Sequence, residues 1–460
     1  MTKEFILFEY GDWVEPNWSI EEVVGFEAFL EELWINRNYS GAIIEWEEVK
    51  EESVNQSLLQ IRHFRNGADL RFRIKAANFV GIIRYKEYTF HILPKLFKRI
   101  GANLAAVRHS NVHLLWWLSY NRKLNLPKHV TSLSYQNCNF LEILIHLFSS
   151  YTENQLQRSP YQAYQEIESE TTYLKGQLDF SPYVRDYLGR ANYQKLFCRY
   201  DSFEIDNKLN RVIKFVCKSL KSQTQIPETR RRLENIINTL DEVADVSVTV
   251  AHCNEVVLNR MFGEYQIVLD YCKMFLQNLQ TTSDESISEA FAFLVPMEKV
   301  FEEFVLGFMD REMKPKIKVT GQFQGRFLTT NKMFRLKPDF LIQNHLTGNH
   351  YIADTKYKLI YSNHRNVSQT DLYQMLAYAV RHRVDRVKML YPKFGSSISS
   401  IPSELKIRDE FTEDREVKIK AIELEVVLSN EVILGSHISI NQMFEGTRKE
   451  LECQLAQVFE

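Results

Sequence analysis

Two short apolar runs, each carrying an acidic residue, constrain this chain more than any other feature. They are Arg335-Leu336-Lys337-Pro338-Asp339-Phe340-Leu341-Ile342 and Tyr351-Ile352-Ala353-Asp354-Thr355-Lys356-Tyr357-Lys358. The polar segment between them, from Gln343 to His350, contains Asn344, Gly348 and Asn349, which favour tight turns. The pattern predicts a β-hairpin. Side chains alternate across a strand, so Asp354 and Lys356 share one face while Ala353, Thr355 and Tyr357 take the other. A hairpin centred between Leu346 and Thr347 sets Asp339 opposite Asp354, with Cα atoms roughly 4.5–5.5 Å apart.

Carboxylates that close repel, and one loses its charge unless a cation stands between them. Mg²⁺ suits the position because it prefers oxygen ligands, takes one or two carboxylates and retains water. The adjacent lysine, Lys356, can hold an attacking water or neutralise phosphate charge. This is the chemistry of metal-dependent phosphodiester hydrolysis. On spacing alone the alternative is an exposed hairpin with an Asp354–Lys356 surface pair, worth roughly 0–1 kcal/mol.

The flanking segments add to the hairpin. Upstream, Phe291 to Met309 is expected as one helix, with Leu294, Met297, Phe301, Val305 and Phe308 on a stripe at helical spacing. Glu298 and Glu302 fall within or beside that stripe, whereas Lys299, Glu303 and Asp310 project elsewhere. A metal site beneath the helix would partner a buried carboxylate, Glu302 rather than Glu298; otherwise both glutamates reach solvent. Pro296 marks a start or kink. Downstream, Ser368-Gln369-Thr370-Asp371 has the form of a capping box. The helix it opens sets Asp371, Gln374 and Tyr378 on one face beside an apolar stripe. Gln374 and Tyr378 can contact DNA phosphate, orient Lys356, or form an ordinary amphipathic border. A further strand runs from Arg386 to Tyr391.

The order helix, hairpin, helix, strand resembles the PD-(D/E)xK nuclease core, including the Gln-x-x-x-Tyr element of its RecB-like branch. The resemblance implies metal ligation by Asp339, Asp354 and the helix carboxylate Glu302, catalysis by Lys356, and site support from Gln374 and Tyr378. It extends further. Val80-Gly81-Ile82-Ile83 and Tyr88-Thr89-Phe90-His91-Ile92-Leu93-Pro94-Lys95 are similar to the N-terminal signature of the McrC family. Tyr173-Leu174-Lys175-Gly176-Gln177-Leu178-Asp179-Phe180, then Tyr200-Asp201, and Asp206-Asn207-Lys208-Leu209-Asn210-Arg211 are similar to its central region. Met297 with Phe301-Glu302 fits its approach to the nuclease helix.

That resemblance implies a nuclease subunit of a modification-dependent restriction system. Its partner would be McrB, a hexameric AAA+ GTPase that reads the modified base and is stimulated by the N-terminal region. The chain carries no Gly-x-x-x-x-Gly-Lys-Ser/Thr phosphate loop, in keeping with nucleotide hydrolysis by a partner. Cutting both strands of double-stranded DNA with one site per chain implies a second copy in the active complex. The competing expectation is a non-catalytic adaptor that grips DNA and regulates the GTPase.

Length and patterning predict an α+β multidomain fold. Residues 1–110 alternate as a mostly-β, partner-engaging domain with a helix near Ile20–Trp34; residues 111–280 read as a mainly helical domain. The nuclease domain, a mixed sheet flanked by helices, takes 281–460. The first residues lack the order of a signal peptide and no run of about 18 apolar residues occurs, which predicts a cytoplasmic protein with no membrane span. Six cysteines without Cys-x-x-Cys spacing are expected as reduced core thiols. A net charge of −2 excludes a uniformly basic DNA binder. Basic residues nevertheless concentrate from Arg311 to Lys337, and Arg335 and Lys337 lead straight to Asp339, where cations guide a phosphate backbone. Trp116-Trp117 is expected in a core, and the N-terminal aromatics, among them Trp13, Trp18, Trp34 and Trp46, at a protein contact.

Overall fold

The computed structural model describes residues 3–36, 58–66, 69–121, 139–281, 291–321, 326–358, 367–393, 404–408, 416–428 and 440–460. Trp46 and Cys138 lie outside them. The fold is α+β and divides into two compact units, residues 1–141 with 278–460, and residues 142–277. This differs from three consecutive domains because a strand after residue 290 returns to the N-terminal sheet.

The first unit opens with β1 (Lys3–Phe8), α1 (Ile20–Asn36), β2 (Leu59–Asn66), β3 (Asp69–Ala76), β4 (Phe79–Tyr85), β5 (Tyr88–Leu93) and α2 (Leu104–Ser119). These are the alternating runs and the helix that the sequence predicts. Trp18 does not serve a surface contact: it is buried against Phe26, Tyr88 and Phe90 at centroid distances of 4.8, 5.1 and 5.8 Å. Burial of its large ring outweighs exposing it. Trp116 and Trp117 are core residues as expected, Trp116 stacking on Phe444 at 4.2 Å.

The second unit contains α3 (Phe140–Arg158), β6 (Ala163–Thr171), β7 (Gln177–Leu178), a single turn α4 (Phe180–Pro182), β8 (Leu196–Glu204), α5 (Lys208–Gln223), α6 (Pro227–Thr239), α7 (Val250–Asn254) and α8 (Tyr265–Asn278). Helices predominate, yet an antiparallel sheet in the order β6-β8-β7 is also present. Its long strand, AYQEIESET, has no apolar alternation to announce it. The Asp206–Arg211 motif has a local structural use. Asp206 makes a forked ion pair with Arg211 (2.7 and 2.9 Å), and Asn207 caps α5 by accepting from the Asn210 N–H. The Asn210 amide donates to the Tyr161 and Ile205 carbonyls. Cys198, Cys217, Cys253 and Cys272 are buried and free, as expected, whereas Cys453 of the first unit is exposed.

The chain re-enters the first unit through β9 (Leu279–Thr281), β10 (Phe291–Pro296), α9 (Met297–Glu312), β11 (Ile317–Gly321), β12 (Arg326–Phe327), β13 (Arg335–Leu336), β14 (Phe340–Asn344) and β15 (His350–Thr355). It ends with α10 (Gln369–His382), β16 (Arg386–Pro392), β17 (Leu405–Arg408), β18 (Glu416–Leu424), α11 (Ile440–Met443) and α12 (Glu445–Val458). The segment expected as one helix from Phe291 is therefore a strand up to Pro296 and a helix only from Met297. An unbroken apolar run fits either period, and pairing of β10 between β4 and β9 decides it.

Two large sheets result, ordered β1-β5-β4-β10-β9 and β11-β14-β15-β16-β18-β17, beside the two-stranded pairs β2-β3 and β12-β13. In the second, β15, β16 and β18 are parallel and the remaining neighbours antiparallel. Parallel strands need a crossover, and α10 supplies it between β15 and β16. Helix α9 lies against β11 and β15 and packs on α2 through Phe304 with Trp116 (4.9 Å) and Tyr120 (5.6 Å). Gly307 permits this approach, since a Cβ there would stand 1.8 Å from the Tyr120 carbonyl oxygen. Among the described residues no helix is long and apolar enough to cross a membrane.

Candidate active site

The β14–β15 hairpin has the register predicted from its turn. Phe340 pairs with Ala353 and Gln343 with His350, and one step further brings Asp339 level with Asp354. Local turn chemistry sets this register. The Asn344 side chain accepts from the Leu346 and Thr347 N–H groups (2.7 and 3.0 Å), and Gly348 takes a φ of 70°.

Asp339 reaches across the hairpin, where its Oδ2 accepts from the Thr355 backbone N–H (2.7 Å) and hydroxyl (2.6 Å). Asp354 is buried and paired with Lys356, Oδ2 to Nζ 2.7 Å, so these two share a face as alternation requires. Burial, then the charges of Asp354 and Glu302, holds Asp339 well above the ordinary carboxylate range against its two Thr355 bonds. Burial likewise raises Asp354, with Lys356 opposing and Glu302 and Asp371 adding to the rise. Burial would depress Lys356, but Asp354, Asp371 and Asp339 outweigh it and keep the ammonium protonated above its usual range. The lysine carries its positive charge beside the two carboxyls.

Helix α10 supports that charge from its own sequence. Ser368 caps it by accepting from the Asp371 N–H. Gln374, one turn on, accepts from Lys356 Nζ (3.1 Å) through Oε1 and donates through Nε2 to the Tyr378 hydroxyl (2.8 Å). Tyr378 in turn donates to the Lys337 carbonyl (3.1 Å). A single hydrogen-bonded chain thus joins Lys356 to the backbone two residues before Asp339. Gln374 contacts the Lys356 ammonium directly, and Tyr378 is linked to it through Gln374.

Glu302 is buried on α9 while Glu298 is exposed, so the choice between them falls to Glu302. Lys299 donates to Glu302 at 2.8 Å rather than pointing elsewhere, and Glu303 is also buried. Both departures from expectation follow from α9 being enclosed on nearly every side, Val300 to Met309 all being buried. The Glu302 charge acts on both Asp339 and Asp354, so it stands near the pair, although among the described residues no group of three His, Cys, Asp or Glu side chains is already arranged to hold a metal ion. The chemistry of the donors, two facing carboxylates with a third nearby, is of the oxygen kind that hard divalent cations take.

Arg335 and Lys337 are exposed beside the hairpin, as are Lys314, Lys316, Lys318, Arg326 and Lys332. Lys316 pairs with Glu452 (3.1 Å). Sequence reasoning missed two site neighbours. Thr355 anchors Asp339, and Asp371 is buried with Lys358 at 3.0 Å and Lys356 at 3.6 Å. Burial would raise Asp371, but the Ser368 hydroxyl and both lysines hold it below its ordinary value. The available signal was its place with Gln374 and Tyr378 on one helix face.

The family model of the McrBC 5-methylcytosine restriction system component matches residues 74–392. In fold, the chain is similar to one in the solved half-complex from a tetradecameric assembly of Thermococcus gammatolerans McrB AAA+ hexamers with bound McrC. That match has a TM-score of 0.62 at 18% identity and covers 98% of this chain and 100% of that one. A chain of the cryo-EM Thermococcus gammatolerans McrBC complex matches with a TM-score of 0.49 at 18% identity, over 72% of this chain and 92% of that one. None of the curated proteins compared matches significantly. With more than half of its length inside the family model, the chain belongs to the McrC family of McrBC 5-methylcytosine restriction system components.

Proposed function

We propose that the chain is the Mg²⁺-dependent endonuclease subunit of a modification-dependent restriction complex, with a PD-(D/E)xK core formed by α9, the β14–β15 hairpin, α10 and β16. The observation that carries this is the facing pair Asp339 and Asp354, each with a raised affinity for protons, beside the charged Lys356. A divalent cation relieves that repulsion better than a proton does. Asp339 and Asp354 would hold it, and when bound it supplies a Lewis acid and a water acidified for attack on phosphorus. Lys356 places positive charge where the phosphate oxygens gain negative charge. Gln374 and Tyr378 aim it, and Glu302, engaged by Lys299, helps hold the metal directly or through water. Arg335, Lys337 and the exposed cations before them guide the backbone of double-stranded DNA toward the hairpin.

A McrB-like AAA+ GTPase hexamer is the partner this reading requires, supported by the family and by the fold shared with a chain of a McrB–McrC assembly. Two copies would cut the two strands, in the cytoplasm where the invading DNA arrives. The test is a Mg²⁺ titration of DNA cleavage by the full chain with its partner. Asp354→Ala and Lys356→Ala are expected to abolish cleavage while leaving GTPase stimulation intact. Loss of both activities assigns these residues to folding instead, and Mg²⁺-independent DNA binding without product points to the adaptor.

A further inference from the structure

A second cluster of buried polar groups lies in the first unit, next to the site. Glu9, directly after β1, is 1% exposed, and Tyr357, directly after Lys356, is 4% exposed. The Tyr357 hydroxyl donates to Glu9 Oε2 (3.0 Å), and the Lys95 backbone N–H donates to the same oxygen (3.2 Å). The Lys95 ammonium donates to the Tyr357 carbonyl oxygen (2.8 Å) and stands 4.1 Å from the centroid of its ring. Phe301, the neighbour of Glu302, packs on the same ring at 6.0 Å.

Packing alone does not call for these groups. Burying the Glu9 carboxyl and half-burying the Lys95 ammonium both carry a desolvation cost, and apolar residues of similar volume often do as well. Buried pairs of this kind can instead hold one geometry against its competitors. The geometry held here is the backbone on both sides of Lys356. Its own N–H donates to the Leu390 carbonyl of β16 (2.8 Å), and the next carbonyl accepts from Lys95. Glu9 Oε1 is buried with no hydrogen-bond partner among the described residues, so the carboxylate is held for its Oε2 contacts at some cost.

We propose that Lys95 and Glu9 are positioning residues for DNA cleavage: by clamping the carbonyl and ring of Tyr357 from the N-terminal sheet, they set where the Lys356 ammonium stands relative to Asp354. The inference rests on the nuclease reading above. It makes the end of the N-terminal sheet a working part of the site, and it assigns Lys95, in a signature already legible in sequence, a task.

The test uses the full chain with its AAA+ partner. Lys95→Met keeps the aliphatic stem and removes the ammonium, Lys95→Arg restores a donor, and Tyr357→Phe removes the hydroxyl that bonds Glu9. At saturating DNA and Mg²⁺, Lys95→Met is expected to slow single-turnover cleavage roughly 10–100-fold, the scale of a misplaced catalytic group, with DNA affinity unchanged. Lys95→Arg is expected to recover most of the rate, Tyr357→Phe to lose less, and amide exchange across residues 354–358 to speed up in Lys95→Met. A folded Lys95→Met that cuts at the wild-type rate overturns the proposal. If that variant does not fold, wild-type cleavage and exchange in Tyr357→Phe overturn it instead. A wild-type chain that never cuts removes the nuclease reading, and the clamp then stands or falls on the exchange of residues 354–358 alone.

Discussion

The two large sheets of the first unit use burial in opposite ways. The five-stranded sheet packs rings and aliphatic chains, with Phe26, Ile83, Tyr85 and Phe90 all nearly inaccessible in one cluster with Trp18 and α1. The six-stranded sheet packs a similar core from Ile352, Met375, Val387, Met389 and Ile419, yet at the ends of β14 and β15 it gathers Asp339, Asp354 and Lys356. In the first, removal from water stabilises the fold at about 25 cal/mol per Å² of apolar surface. In the second, the same removal raises the proton affinity of two facing carboxyls, Asp339 and Asp354. Stability and activity should therefore respond to mutation in opposite senses in the two places.

The largest effect expected from that contrast is at Asp339. Asp339→Asn keeps an oxygen for Thr355 and removes a repelled charge, so the metal-free chain should melt no lower than wild type at pH 8. Cleavage should fall by roughly 10³-fold, the scale of losing one main electrostatic contributor. A mutant that melts well below wild type would break the comparison. Next is Phe90→Ala in the aromatic core, which should cost about 3–5 kcal/mol in denaturant unfolding. Its residual folded fraction should cut DNA at a normal rate per active molecule; a slowed rate would show that the aromatic core, and not only the Glu9–Lys95 end of that sheet, sets the site.

The smallest effect sharpens the boundary between them. Burial, opposed by Lys95 and Tyr357, pushes Glu9 from its ordinary 4.5 up to about 7. Between those values the folded chain binds more protons than the unfolded one, so the Glu9 contribution to stability is complete below about pH 4.5. It declines as pH rises through 7 and is flat above, the total amounting to about 3 kcal/mol at 1.36 kcal/mol per unit. Glu9→Gln should flatten that part of the stability profile measured by urea unfolding between pH 5 and 8. An unchanged slope would assign the decline to Asp339 and Asp354, which are shifted in the same direction.

Legibility in the sequence followed the range of the interaction. The hairpin from Arg335 to Lys358, its turn at Asn344 and Gly348, the cap at Ser368 and the Gln374–Tyr378 face were all readable, because each depends on residues within a few positions of one another. Phe291–Pro296 was misjudged because its helical and strand periods are indistinguishable without knowledge of β4, more than 200 residues earlier. Likewise β6 escaped because neither of its faces is apolar enough to register.

By itself, the sequence determined the pairing of Asp339 with Asp354 and the shared face of Asp354 and Lys356, since strand alternation and turn chemistry act locally. It also carried the family signature. Only the tertiary structure decided that Glu302 is buried and lies near the carboxylate pair while Glu298 is exposed. It alone also brought Glu9 and Lys95 to Tyr357, across 348 and 262 residues of chain. Contacts of that separation arise from packing of whole elements, which no window of sequence contains.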